Sequence, residues 1–219
     1  MTLLVTGASG WLGREVAAAA RADHDDVVGL VATAAEAEAL ALDQPGLDVR
    51  IADLRRPDAV RSAVSGLELD AVIHTAGIIH PHRVEDWTEV NVEGLARLLD
   101  VVAGPGLRAF VQVSSNSVLG VNADEQDRFG DDEPPRPWLG YGRSKAAAES
   151  LLHERLGEGT TVTVLRPPWF YGPGQPERQA RFISAVRRGR FPLVSPGTQR
   201  RSMAYVPDLA AACLRALDR

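Results

Sequence analysis

The sequence predicts an α/β domain built on a parallel, doubly wound sheet, and three observations carry that expectation. Short apolar runs of strand length alternate with helical segments along the chain. The first run opens directly into a glycine turn, Thr6-Gly7-Ala8-Ser9-Gly10-Trp11-Leu12-Gly13. Further on, Lys145, the only lysine among 24 basic residues, stands four positions after Tyr141.

Taken in order, Leu3-Leu4-Val5 is the first strand and the alanine-rich stretch 15–22 the first helix. The glycines between them, spaced three apart, let the backbone turn sharply, let a phosphate approach with no Cβ in the way, and leave the helix N-terminus facing a pyrophosphate. Val27-Val28-Gly29-Leu30-Val31 reads as the second buried strand, 34–42 as a helix, and 49–54 as a third strand that ends on Asp53 and Leu54. Pro57 suits a first helical position, with Asp58 in the opening turn. Residues 71–77 read as the fourth strand, running into His74-Thr75-Ala76-Gly77, where small residues let a cofactor lie against backbone. Residues 87–103 read as helix, 109–113 as the fifth strand, 141–156 as helix and 161–165 as the sixth strand. The Pro- and acid-rich stretch 124–137 reads as a long surface loop, of the kind that serves as a lid or binding segment.

A chain of 219 residues suits one well-buried domain over 1–219, and 45% hydrophobic with 24% charged residues is the composition of an ordinary globule. A net charge of -5 provides no basic footprint, so neither nucleic acid nor an anionic membrane is an expected partner. No apolar run approaches the ~20 residues of a spanning helix. The single Cys213 excludes an internal disulfide framework and a multi-cysteine zinc site, and fits a reducing, cytoplasmic compartment. His80 and His82 flank Pro81 without a nearby third ligand, so no metal is assigned.

If 141–156 is helical, Tyr141 and Lys145 project from one face and can serve one ligand. A phenol has a pKa near ~10, and a fixed positive charge beside it favours phenolate, which makes the tyrosine a usable general acid or base.

With these pieces in place, the sequence resembles the extended short-chain dehydrogenase/reductase superfamily, in its NAD-dependent epimerase/dehydratase branch. The resemblance rests on the glycine turn, Asp53-Leu54, His74-Thr75-Ala76-Gly77, Asn91-Val92-Glu93-Gly94, Val113-Ser114-Ser115-Asn116-Ser117-Val118-Leu119-Gly120 and Tyr141-Gly142-Arg143-Ser144-Lys145. It continues through Leu165-Arg166-Pro167-Pro168-Trp169-Phe170-Tyr171-Gly172-Pro173-Gly174 and from Arg201 to Tyr205-Val206-Pro207-Asp208-Leu209-Ala210. The implied fold is a Rossmann-type sheet with a reduced C-terminal substrate-binding region, the substrate-side segments falling around 116–138 and 172–206. Gly7, Gly10 and Gly13, with the Trp11 and Leu12 amides, would hold the pyrophosphate of NAD or NADP. Asp53 and Leu54 would contact adenine, Thr75, Ala76 and Gly77 would line the cofactor, and Pro168 would meet the carboxamide. Tyr141 would be the catalytic acid/base, with Lys145 holding the ribose and lowering the tyrosine pKa, and Ser115 would bond the substrate oxygen. Asn116 and Arg201 are the substrate-contact candidates, Arg201 aligning with an arginine that meets the substrate's nucleotide phosphate in epimerases.

Several positions depart from the family pattern. After the second strand, Ala32-Thr33-Ala34 offers neither an acid for a ribose 2′-OH nor an arginine for a 2′-phosphate, which leaves both NAD and NADP open. Ser115-Asn116-Ser117 lacks the Asp-Glu pair of the nucleotide-sugar 4,6-dehydratases, Pro207 replaces a common acid, and the chain stops soon after, which implies a substrate pocket that is open or completed by another chain. The expected activity is NAD(P)-dependent redox chemistry at a secondary alcohol or ketone, on a nucleotide sugar or hydroxysteroid-like small molecule, as reductase/dehydrogenase or epimerase. The competing class is a non-catalytic dinucleotide sensor on the same fold. Apolar stripes on 87–103 and 141–156, helices that pair between subunits in the family, imply a homodimer.

Overall fold

The computed structural model describes residues 1–24, 26–122, 124, 128–130, 132–192 and 200–218. Its main sheet comprises β1 (Thr2–Thr6), β2 (Asp26–Val31), β3 (Asp48–Ile51), β4 (Ala71–His74), β5 (Ala109–Val113) and β6 (Thr161–Leu165), all parallel, in the order β3-β2-β1-β4-β5-β6. The helices are α1 (Trp11–Asp23), α2 (Ala34–Asp43), α3 (Pro57–Val64), α4 (Asp86–Thr88), α5 (Gly94–Val102), α6 (Gly140–Arg155), α7 (Glu177–Arg187) and α8 (Val206–Arg215).

Side chains alternate across a strand, so a fully buried strand feeds two cores. Leu3 and Val5 pack with Val16, Ala17 and Ala20 of α1, Leu40 of α2 and Ala210 and Cys213 of α8. Leu4 packs on the opposite face with Val60 of α3, Leu95, Leu98 and Leu99 of α5 and Ala148 and Leu152 of α6. The strand order reverses direction between β1 and β4, and a crevice opens there at the carboxyl ends of the strands. None of the described helices is long and apolar enough to cross a membrane.

Two expectations need correction. The third strand stops at Ile51 rather than 54, because Asp53 turns the chain: its carboxylate accepts the Arg55 backbone N–H at 3.0 Å and binds the Arg55 guanidinium. The helix expected over 87–103 is interrupted by a π-helical turn, Glu89–Glu93, between α4 and α5. The extra residue in that turn goes with an inward Asn91, 2% exposed, whose amide bonds two other segments. A small second sheet, β7 (Trp169–Tyr171) with β8 (Met203–Tyr205), was not foreseen. Of the expected loop 124–137 and the substrate-side segment 172–206, residues 125–127, 131 and 193–199 lie outside the described residues.

Candidate functional site

The end of β1 enters the glycine turn at Gly7, whose φ of 67° brings its backbone against Ala76: a Cβ there would lie 2.7 Å from the Ala76 nitrogen. Only glycine serves at that point. Gly10 is the N-cap of α1 and supplies no side-chain cap, so the first-turn amides, those of Trp11 and Leu12 among them, are offered to a ligand. The Leu12 side chain is buried in the core, and its backbone alone can serve the site. β1 and β4 are stitched together beside this turn. Thr75 Oγ1 donates to the Thr6 carbonyl at 2.7 Å, and Thr6 Oγ1 meets His74 Nδ1 at 2.7 Å. Burial, with the Lys145 charge nearby, pulls the His74 pKa down to about 3, so this imidazole is a neutral structural partner.

A cleft of about 430 Å³ runs from Ala32, Thr33 and Glu36 at the end of β2, past Gly7 and Gly10, to Thr75, Ala76 and Gly77 at the end of β4. Asp53 and Leu54 form part of its wall, as expected. Leu54 is 7% exposed and Asp53 is engaged by Arg55, which holds the carboxyl below the usual carboxylate range. His80 and His82 also border the cleft, and His80 Nε2 contacts the Arg178 guanidinium of α7.

Ser115, Tyr141 and Lys145, the expected catalytic residues, stand beyond the Gly77 end. Ser115 follows β5 and caps a short 3₁₀ turn, Asn116–Val118, its Oγ accepting the Ser117 amide at 3.2 Å. The same hydroxyl stands close enough to the Tyr141 phenol to pull its pKa down. Lys145 is 5% exposed, one turn further along α6, and a Cβ built on Gly77 would lie 3.8 Å from its Nζ. Burial lowers the Lys145 pKa to about 8, with the Glu149 carboxylate opposing the shift. At Tyr141 burial also wins: it raises the phenol above its usual value, and the nearby Ser115 hydroxyl only partly offsets this. The lowering of the tyrosine pKa that the resemblance implies is therefore reversed, because desolvation disfavours the phenolate.

Two residues without an assigned role in the sequence complete the arrangement. Asn91 accepts the Ile78 amide at 2.8 Å and donates to Ser144 Oγ at 3.0 Å, tying the segment after Gly77 to α6. Its signal was the Asn-Val-Glu-Gly motif itself. Glu149, 5% exposed and four residues after Lys145, accepts from Ser114 Oγ and from Arg166 Nη2 at 2.8 Å. An acid at i+4 from a buried lysine was the readable sign. On the substrate side, Asn116 donates its amide to the Pro167 carbonyl at 3.1 Å, which holds the 3₁₀ turn against the segment carrying Pro168. Arg201 is exposed, with its guanidinium 5.6 Å from the Trp169 ring centre, outside the cleft walls. Gly13 and Trp11 do not line the cleft either: Gly13 packs on Gly7, and Trp11 Nε1 donates to the Pro173 carbonyl at 2.6 Å.

A six-stranded parallel sheet with an uncapped glycine turn at its switch point, and a Ser/Tyr/Lys group beside it, is a doubly wound α/β arrangement of the Rossmann type. The model of the NAD dependent epimerase/dehydratase family matches residues 3–219, and the chain belongs to that family. It is 40% identical over 98% of its length to an uncharacterized protein, y4nL, of Sinorhizobium fredii, covering 63% of that protein. It is 29% identical over its whole length to a 4-hydroxy-2-methyl-3-oxo-4-farnesyl-3,4-dihydroquinoline-1-oxide ketoreductase of Stigmatella aurantiaca, covering 65% of it. The chain thus spans just under two thirds of these relatives. Among solved structures, the UDP-glucose 4-epimerase of Thermus thermophilus in complex with NAD matches with a TM-score of 0.81 and 26% identity, over all of this chain and 75% of that one.

Proposed function

We propose that the chain binds NAD in the cleft at the switch point and performs redox chemistry at a secondary alcohol or its ketone, with Tyr141 as the acid/base. The observation that carries this is the buried Lys145 ammonium beside Gly77 at the end of the cleft, with the Ser115 hydroxyl near the Tyr141 phenol one helical turn before it. The cleft fits the cofactor: a turn closed to side chains at Gly7, free first-turn amides on α1, and a floor of small residues at Thr75, Ala76 and Gly77. NAD bound there would supply the hydride donor or acceptor. Tyr141 Oη would exchange a proton with the substrate oxygen, Ser115 Oγ would bond that same oxygen, and Lys145 Nζ would hold the ribose.

Burial raises the Tyr141 pKa, which suits the phenol to giving a proton to a carbonyl, the reductive direction. The ketoreductase relative supports that direction, and the epimerase neighbour supports transient oxidation on a nucleotide sugar. Action in the cytoplasm and a homodimer belong to the same proposal. On the two helices expected to pair, Leu95, Leu98, Leu99 and Leu152 are buried against the sheet. Trp138 and Leu139, 68% and 61% exposed just before α6, offer apolar surface to a second copy.

The test is to identify by mass spectrometry the dinucleotide that accompanies the purified protein and to follow NADH oxidation against a panel of ketones. Bound dinucleotide with turnover that disappears in Tyr141→Phe is the expected result. Bound dinucleotide with turnover untouched by that change transfers the chain to the sensor class.

A further inference from the structure

Glu36 fills a role for which the sequence after β2 offers no residue. Ala32, Thr33 and Ala34 carry no charge, but the first turn of α2 folds Glu36 back over them. Its Oε2 accepts from the Ala32 amide at 2.8 Å and from the Thr33 amide at 3.2 Å, while Thr33 Oγ1 accepts from the Glu36 amide at 3.2 Å. This reciprocal capping box pins the carboxylate at the carboxyl end of β2, in the wall of the cleft. In a doubly wound sheet that is where the adenosine ribose of a dinucleotide comes to rest. Both amide bonds use Oε2, so Oε1 is left to accept from a ribose hydroxyl.

The surrounding charges point the same way. A 2′-phosphate at this position needs free backbone amides and an unpaired arginine. The Ala32 and Thr33 amides are already taken by Glu36, and Arg55, the arginine in the cleft wall, is held by Asp53 through Nε at 3.0 Å and Nη2 at 2.5 Å. Asp86, a third acid in the wall, binds Arg83.

We propose that Glu36 is the specificity-determining residue that selects NAD over NADP, accepting hydrogen bonds from the ribose 2′- and 3′-hydroxyls and repelling a 2′-phosphate. The proposal rests on the reading of the cleft as a dinucleotide site. It places the discriminating acid on the third residue of the helix instead of at the strand end.

Fluorescence titration of NADH and NADPH against the full chain and its Glu36→Gln variant tests it. Glutamine serves a capping box as glutamate does, so α2 is kept while the charge is removed, which circular dichroism verifies. Wild type is expected to bind NADH at least about tenfold more tightly than NADPH, and Glu36→Gln to narrow that ratio by about tenfold, through a gain on NADPH. A wild type that binds the two equally, or a variant that leaves the ratio unchanged, overturns the proposal while the cleft reading stands. If wild type binds neither dinucleotide, the cleft reading falls and takes the proposal with it.

Discussion

Gly10 and Gly13 belong to one turn, yet a side chain at each should fail for a different reason. A Cβ on Gly13 would stand 2.1 Å from the Gly7 carbonyl oxygen and 2.7 Å from Thr75 Oγ1. Neither atom can withdraw, since the Gly7 carbonyl accepts the Gly10 amide at 2.9 Å and Thr75 Oγ1 is bonded to the Thr6 carbonyl at 2.7 Å. Gly13→Ala must therefore push α1 off the sheet, a cost of about 3 kcal/mol at the upper end of ordinary overpacking, or a Tm lower by about 6–12 °C for a domain of this size. On Gly10 the added carbon meets only the Gly7 carbonyl oxygen, at 3.1 Å, the φ of -68° is ordinary, and the position is exposed. Gly10→Val should cost about 1 kcal/mol or less as a change of N-cap residue. Its isopropyl group nevertheless projects over the first-turn amides that would receive the pyrophosphate. Thermal unfolding by circular dichroism separates the two variants, and NADH fluorescence titration measures binding. Gly10→Val should fold and fail to bind. If it binds NADH with wild-type affinity, the phosphate-cradle assignment is refuted; if Gly13→Ala melts with wild type, the packing argument is.

Tyr141→Phe should keep cofactor affinity near wild type and lose turnover by ~10²–10⁴, the usual share of a general acid or base. Lys145→Arg should lose both binding and turnover although charge is preserved, because a planar guanidinium cannot take the place of a compact ammonium beside Gly77; retained NADH binding would count against Lys145 as a ribose ligand. His74 predicts an acid limb of stability. Its folded pKa, about 3, lies below the unfolded value of 6.5, so its contribution is full above 6.5 and drains away as pH falls toward 3. Between pH 6.5 and 5 the loss is about 2 kcal/mol, and His74→Gln should flatten that part of the Tm profile against wild type. Light scattering at micromolar concentration should give a dimer mass, and a strictly monomeric mass would remove the homodimer from the proposal.

The sheet was legible because its physics is local. Runs such as Leu3-Leu4-Val5 and Ala71-Val72-Ile73 are buried on both faces, and a two-sided strand has to read as continuous apolar sequence. The small β7–β8 sheet was not legible: three residues each, half-buried or exposed, with β7 lodged between Pro167-Pro168 and Pro173, leave no period to detect. The π-turn at Glu89–Glu93 escaped because helical periodicity does not report one inserted residue. For the site, glycine spacing and the Tyr141/Lys145 offset announced themselves, since they depend on positions within one element. Glu36 did not, although Thr33-x-x-Glu36 is a capping-box spacing, because the box reads first as helix chemistry and its place in the cleft wall comes from the packing of α2 beside β2 and β3.

Lys145 shows what such a site costs the fold. An ammonium with a folded pKa of about 8 against an ordinary 10.5 is disfavoured by its surroundings at every pH below about 8, and the penalty is relieved only as pH rises from there toward 10.5. The size is on the order of 3 kcal/mol, a large share of the stability of an ordinary domain. A chain that uses arginine at its 23 other basic positions, the 24 less Lys145, has no packing reason to keep such a group. Glu149 moderates the penalty from one helical turn away, and is itself neutralised by Arg166, so the acid is held in place without forming a closed pair with the lysine. The ammonium is thereby left charged at neutral pH and directed at Gly77 rather than consumed by a neighbour. An arginine with the same partners would remain charged as well, but its five donors need acceptors that the small-residue wall of Thr75, Ala76 and Gly77 does not supply, whereas the three of an ammonium suit a pair of ribose hydroxyls.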